Sequence, residues 1–446
     1  MAGKTALVLA GGGAKGAFEA GAVKYLVEEE GVVPDVITAT SVGSICAAVL
    51  AQARTHAELC HRVRELHDDL LAMTHTELVF ARQPWLAALE DTPFGAAVDA
   101  YVNERTRPPV PGDPPAVPHP RRRRLRTAAR AARSLPRLLR ARRAYSHRTS
   151  SVLSLDPLAA ALRHGGTVAP VDPALIARPG LDLRMAVTAL GAGVLRFVTG
   201  EGVLVEADGV TPVAGAGRVD VLEGALASAS VPLVFPPRPL AGDVYVDGGV
   251  VDNVPVGAAA RLGADRIVAV LAVPLAQPPD PRDFTQVTGP GVFLRSVGAI
   301  AFTGRQHANL GAWLPPGTSL TVIDPVVDVV GPFEVAQGLM LLDMDYGWMR
   351  AADVVAEVDG ETRRRAAVAT DAVATNRTRS WHREEAAWRA GRAHRADVEE
   401  IDRCKAAVRD AVAERKGLGL PTPPDAERWW TGHEVHRGPA PQGLSS

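Results

Sequence analysis

Three cysteines in 446 residues, Cys46, Cys60 and Cys404, are too few for a disulfide framework. None stands in a Cys-x-x-Cys or Cys/His spacing of the zinc-binding kind, so no metal site is expected and a reducing compartment fits best. No predominantly apolar run reaches the ~18 residues that a bilayer-spanning helix requires. The start of the chain is equally bare: Ala6 to Ala10 is a five-residue apolar run before Gly11, too short for the core of a signal peptide. No internal repeat is present. The expected location is therefore cytoplasmic, with any membrane contact peripheral.

What is present is an ordinary globular composition, 47% apolar and 22% charged, with enough apolar surface to build a sizeable core. A chain of this length holds two or three domains or one large α/β unit with insertions. The net charge of -1 is a sum of unlike parts. Residues 121–148 carry 12 Arg and no Asp or Glu, which leaves 37 basic against 50 acidic residues elsewhere, about -13.

The first 53 residues alternate apolar strand, glycine turn and helix twice, the pattern of a parallel sheet covered by helices. Strands are expected at 5–10 and 36–40, and further ones at 183–189, 194–199, 244–246 and 266–272, the last after a helix ending at Leu262-Gly263. Residues 55–104 read as helix with polar breaks. Pro108 to Pro120 is too rich in proline for helix or sheet, and the Arg-rich run follows it. The fold class is α/β, a parallel-type central sheet covered by helices. Its first part is expected at 1–79, a helical then Pro/Arg-rich insertion at 80–150, and its second part at 151–356. A charged helical extension, reading as exposed helix, and a flexible tail make up 357–446, with disorder expected from Pro421 onward through Trp429-Trp430. Trp429-Trp430 reads more as a docking contact with the chain's own surface than as a membrane anchor.

Three turns could carry chemistry. Gly11-x-Gly13-x-x-Gly16, after a strand and opening a helix, fits a dinucleotide cradle, an oxyanion site or a tight turn without ligand. A dinucleotide site also needs an acidic residue at the end of the second strand. Asp35 precedes that strand, and Lys15 is unusual in such a cradle. Ala39-Thr40-Ser41-Val42-Gly43 has the small neighbours and the strand-to-helix setting of a nucleophile elbow, with Ala39 where Gly is usual, a change that is mild if its φ is negative. Taken alone, Ser41 reads more readily as a simple helix N-cap. Asp247-Gly248-Gly249 closes the strand Val244-Tyr245-Val246, where Asp is ordinarily a turn former. His307, His382 and His394 lie in contexts of helix surface, so a His-assisted triad is not expected.

Taken together, in order and spacing, these turns resemble the patatin-like phospholipase family, as do Ala227 to Pro237 and the helix end Leu262-Gly263-Ala264-Asp265. The resemblance covers roughly 5–275 in two blocks. It implies a Ser–Asp dyad hydrolysing acyl esters of lipids, with Ser41 as nucleophile and Asp247 as direct general base in a dry pocket. It also implies an oxyanion hole from the Gly12 and Gly13 N–H groups within the Gly11–Gly16 turn, helped by Lys15 where the family more often has Arg. Asp252 is the fallback base. No cofactor is implied.

The expected partner is a lipid ester substrate. Arg121 to Arg148 could hold an acidic enzyme on an anionic membrane, at about 1 kcal/mol per basic residue. A solvated insert is the competing reading, and nucleic acid is not expected because aromatic and fold signals are absent apart from Tyr145. A weakly active or inactive lipid-surface protein that keeps the fold is the alternative function.

Overall fold

The computed structural model describes residues 3–87, 151–276, 283–285, 292, 294–438 and 441–444. The Pro-rich segment and the Arg-rich run at 121–148 lie outside the described residues, as does much of the expected 80–150 insertion.

The described residues build a nine-stranded sheet. Its strands are β1 (Lys4–Leu9), β2 (Val36–Thr40), β3 (Asp182–Ala189), β4 (Val194–Thr199), β5 (Leu204–Val205), β6 (Arg238–Leu240), β7 (Asp243–Asp247), β8 (Ala264–Val270) and β9 (Ser319–Ile323). The order along the sheet is β9-β8-β1-β2-β3-β4-β5. The five strands from β9 to β3 run parallel, whereas β4 and β5 continue antiparallel. Strands covered on both faces must be apolar throughout, which is why β1 reads Ala-Leu-Val-Leu and why every residue of β2 is buried.

The helices that concern the site are α1 (Gly16–Glu28), α2 (Val42–Leu50), α3 (His56–Ala72), α4 (Asp156–His164), α5 (Val221–Ser228), α6 (Val256–Arg261), α7 (Ala301–Leu310) and α8 (Gln337–Val355). Helix α8 packs along α1, and Tyr346 meets Phe18 edge-on at 5.4 Å between ring centroids. That contact fixes the helix into which the first glycine turn leads.

Two long helices follow, α9 (Gly360–Ala390) and α10 (Arg395–Gly417). They are helical as the charge pattern predicts, but they are not simply exposed. Arg377 and Arg415 are among the largest fully buried side chains, paired with Asp345 and Asp353 of α8. The expectation of a disordered tail is corrected as well. Residues 421–438 pack back on α8 to α10, with Trp429 buried against Arg377 and its indole N–H donating to Asp345 at 3.1 Å. The two tryptophans are a docking contact with the chain's own surface. Proline and glycine content suggested disorder there, and buried ion pairs overrode it.

Candidate active site

Parallel neighbours end on the same side of a sheet, so the turns that follow β1 and β2 must meet. Leu9 pairs with Ala39, which places the Gly11–Gly16 turn beside Ser41. A Cβ added to Gly11 would lie 2.8 Å from the Ser41 Cβ. Strand β7 completes the arrangement by pairing with the end of β3 beyond β2: Ala186 faces Thr40 and the next residue, Val187, faces Asp247. Asp247 and Ser41 are thereby brought to one spot although 206 positions apart in sequence. Ligand sites of open α/β sheets lie at this strand end.

Ser41 has φ 55° and ψ -127°, the strained conformation of a sharp strand-to-helix turn. Its hydroxyl makes no capping bond to α2, so the N-cap alternative does not describe what the side chain does. Instead its backbone N–H donates to Ser228 Oγ at 2.9 Å, and Ser228 Oγ lies 2.8 Å from Ser44 Oγ. Ala39 is a strand residue outside the positive-φ set, so the methyl it carries in place of the usual glycine hydrogen is accommodated. Gly43 cannot be so replaced: a Cβ there would stand 2.6 Å from the carbonyl oxygens of both Leu9 and Ala10.

The glycine turn offers free donors. The N–H groups of Gly11, Gly12 and Gly13 have no acceptor among the described residues, whereas Ala14 N–H is taken by Pro332 O at 2.8 Å and Gly16 N–H by the turn itself. Gly13 has φ +64° and a Cβ on it would fall 2.1 Å from Pro332 O, so only glycine fits. A Cβ on Gly16 would meet Val42 Cγ2 at 2.7 Å. Lys15 differs from the expectation of an oxyanion donor: its buried ammonium pairs with Asp328. The dinucleotide reading loses its acidic partner too, because Asp35 accepts from Thr5 N–H at 2.8 Å at the opposite end of β1.

Asp247 is 4% exposed. Its Oδ1 accepts from Gly249 N–H at 2.7 Å, the turn-forming role, and Oδ2 is buried as well. Burial pushes its carboxyl up to about 6, and the Ser41 side chain together with Gly249 N–H acts in the opposite direction. The Ser41 side chain is thus a hydrogen-bond neighbour of the buried Asp247 carboxyl. Burial also pushes Asp252 up to about 6, but its carboxylate accepts from Val254 N–H at 3.1 Å and the charge acting on it is Arg261. His307 bonds Thr303 O of its own helix and His394 stands at the N-cap of α10.

Two residues of the site carry roles that the motif reading did not assign. Ser228 lies in the segment 227–237 and Asn253 in the run after the Asp turn. Asn253, 1% exposed, donates from Nδ2 to Gly11 O at 3.2 Å. Asn253 stands four residues after Gly249, a closeness in sequence that offers some signal, whereas Ser228, within Ala227-Ser228-Ala229-Ser230, carries none.

A family model described as patatin-like phospholipase matches residues 7–260, more than half of the chain. The chain is similar to patatin-like phospholipase domain-containing protein 7 of Rattus norvegicus, 30% identical over 100 residues, which is 22% of this chain and 7% of that protein. It therefore spans only a small part of the length of that relative. Among solved structures it aligns with VipD from Legionella pneumophila at 14% identity over 100% of this chain and 94% of that one, TM-score 0.28. The type III effector ExoU aligns at 15% identity over 96% and 72%, TM-score 0.23. Neither likeness bears on the chemistry of the site.

Proposed function

Since the chain belongs to the patatin-like phospholipase family, we propose that it is a serine hydrolase of lipid carboxylic esters working through a Ser41–Asp247 dyad. The observation that carries this reading is the buried Asp247 carboxyl with Ser41, strained at φ 55°, as its side-chain hydrogen-bond neighbour. Asp247 Oδ2 takes the Ser41 hydroxyl proton as Oγ bonds to the acyl carbon, and the carbonyl electron pair moves onto oxygen. Gly12 and Gly13 N–H groups stabilise that oxyanion, with Gly11 and Gly16 setting the turn. Collapse of the tetrahedral species returns the proton to the leaving alcohol and leaves an acyl ester on Ser41. Water, deprotonated by Asp247, then adds to the acyl carbon, and as the Oγ–acyl bond breaks the proton passes to Ser41 Oγ, freeing the fatty acid and restoring the dyad.

A carboxylate with an ordinary pKa is a feeble base towards a hydroxyl. Burial raises Asp247 towards a useful range, which is what lets the pair act without histidine. Lys15, held by Asp328, contributes by fixing the turn and by its positive charge behind it. Ala39 and Gly43 admit the elbow, and Gly248 and Gly249 the Asp turn.

Labelling with a fluorophosphonate probe and hydrolysis of a phospholipid panel by wild type, Ser41→Ala and Asp247→Asn test this. Labelling and hydrolysis that persist in both variants would exclude the dyad. Peripheral docking of Arg121–Arg148 on anionic lipid belongs to the same proposal. Co-sedimentation of a 121–148 deletion with phosphatidylserine vesicles, if undiminished, removes it. Among the described residues no helix is long and apolar enough to cross a membrane.

A further inference from the structure

The Gly11 carbonyl and the Gly12 N–H belong to one peptide plane and point in opposite directions. Whatever holds the carbonyl therefore aims the N–H. In a turn of three consecutive glycines the backbone itself does little of this holding, because glycine crosses φ space at small cost. The Gly11 carbonyl is gripped by the Asn253 amide at 3.2 Å. Since a carbonyl can only accept, Nδ2 is the atom on Gly11, and Oδ1 is turned towards the glycines: it would lie 2.5 Å from a Cβ on Gly11 and 2.7 Å from one on Gly249. Asn253 is thus wedged between the two turns that carry the oxyanion donors and the base.

The wedge is itself braced. Thr40 Oγ1 donates to Asp252 O and Thr38 Oγ1 to Pro255 O, both at 3.0 Å, so the strand that presents Ser41 holds the loop on either side of Asn253. Asn253 N–H donates to Asn309 Oδ1 of α7 at 3.2 Å. A buried amide with this many fixed neighbours has little freedom to follow a moving peptide.

We infer that Asn253 is the positioning residue of the reaction: its side-chain amide locks the Gly11–Gly12 peptide so that Gly12 N–H points at the developing oxyanion, and it keeps that donor in register with Asp247. The inference rests on the proposed role of Gly12. Asn253 touches neither substrate nor the reacting atoms, and it lowers the barrier by removing the reorganisation of a flexible peptide.

The test uses Asn253→Asp, which keeps shape but in its ionised form has no donor, and Asn253→Ser, which leaves the space open. Hydrolysis of a soluble fatty-acyl ester is measured per active site titrated with fluorophosphonate, so misfolded protein does not count. The expected result is a kcat per titrated site lower by roughly 10²-fold, the range for losing one oxyanion donor, with KM within about twofold and slower phosphonylation in parallel. A kcat per titrated site equal to wild type in both variants overturns the inference even if their melting temperatures fall. Absence of labelling and hydrolysis in wild type overturns the underlying dyad reading instead.

Discussion

The backbone N–H of Ser41 donates to the hydroxyl of Ser228, 187 residues away, at 2.9 Å. A residue at φ 55° is held by its surroundings rather than by its own preference, and this bond, with Ser44 behind it, is the polar part of that hold. Ser228→Ala leaves a buried N–H without acceptor. It should destabilise the protein by about 1–3 kcal/mol and lower kcat roughly tenfold or more through a displaced elbow. Thermal melts and steady-state kinetics check the two effects separately, and a variant with unchanged kcat would show that the elbow needs no such anchor.

In the proposed reaction Asp247 would set the pH dependence. As a base it acts when deprotonated, and burial has raised its carboxyl to about 6, so kcat/KM should climb through about pH 6 and level off above it. The stability sign is opposite. A carboxyl raised from 3.8 in the folded state carries no penalty below pH 3.8 and its full penalty above about pH 6. Asp247→Asn should therefore abolish activity yet stabilise the fold at pH 8 by up to about 3 kcal/mol. The gain should vanish near pH 3.5, as read by denaturant unfolding at both pH values.

Two glycines are fixed by contact and one alanine is not. Gly13→Ala adds a methyl at φ +64° against Pro332 O, and Gly43→Ala drives one into the carbonyls of Leu9 and Ala10. Each should lower stability by about 1–3 kcal/mol and remove most activity. Ala39→Gly, which restores the more usual elbow residue, should leave kcat within about twofold and weaken the strand by roughly 0.5–1 kcal/mol. A large gain in kcat for Ala39→Gly would mean that the alanine methyl does obstruct the site.

The parallel core and the Ser and Asp turns were readable because each depends on local order: an apolar run, then a turn residue, then a helix. β2 fell on Val36–Thr40 as read, and β7 begins within a residue of its expected start. What joins Ser41 to Asp247 was not readable, because it depends on which edge of β3 receives β7, a pairing between segments about 60 residues apart. Ser228 and Asn253 are not legible in the sequence for a similar reason. Their polarity has meaning only once Gly11 and Ser41 are known to lie against them. Lys15 reads as a helper of the oxyanion because its place in the turn is visible in the sequence and its partner Asp328, over 300 residues on, is not. The prolines of the tail suggest disorder because composition does not register a buried carboxylate that two histidines approach.

That carboxylate is Glu384 on α9. His433 Nδ1 lies 2.8 Å from its Oε1, His436 Nε2 lies 3.0 Å from its Oε2, and Lys405 approaches at 3.5 Å, while His436 is stacked between Trp381 and Trp388. Burial alone would raise Glu384. The two histidines and Lys405 outweigh it and hold the carboxyl down at about 2. A lowered carboxyl stabilises the fold fully above its ordinary 4.5 and loses that contribution as pH falls through about 2. Glu384→Gln should therefore release the tail and cost up to about 3 kcal/mol at neutral pH, with the gap to wild type closing between pH 4.5 and 2. Hydrogen exchange over residues 429–437 at pH 7 should report the release directly. Protection equal to wild type there would mean that the tryptophan contacts, and not the carboxylate, hold the tail in place.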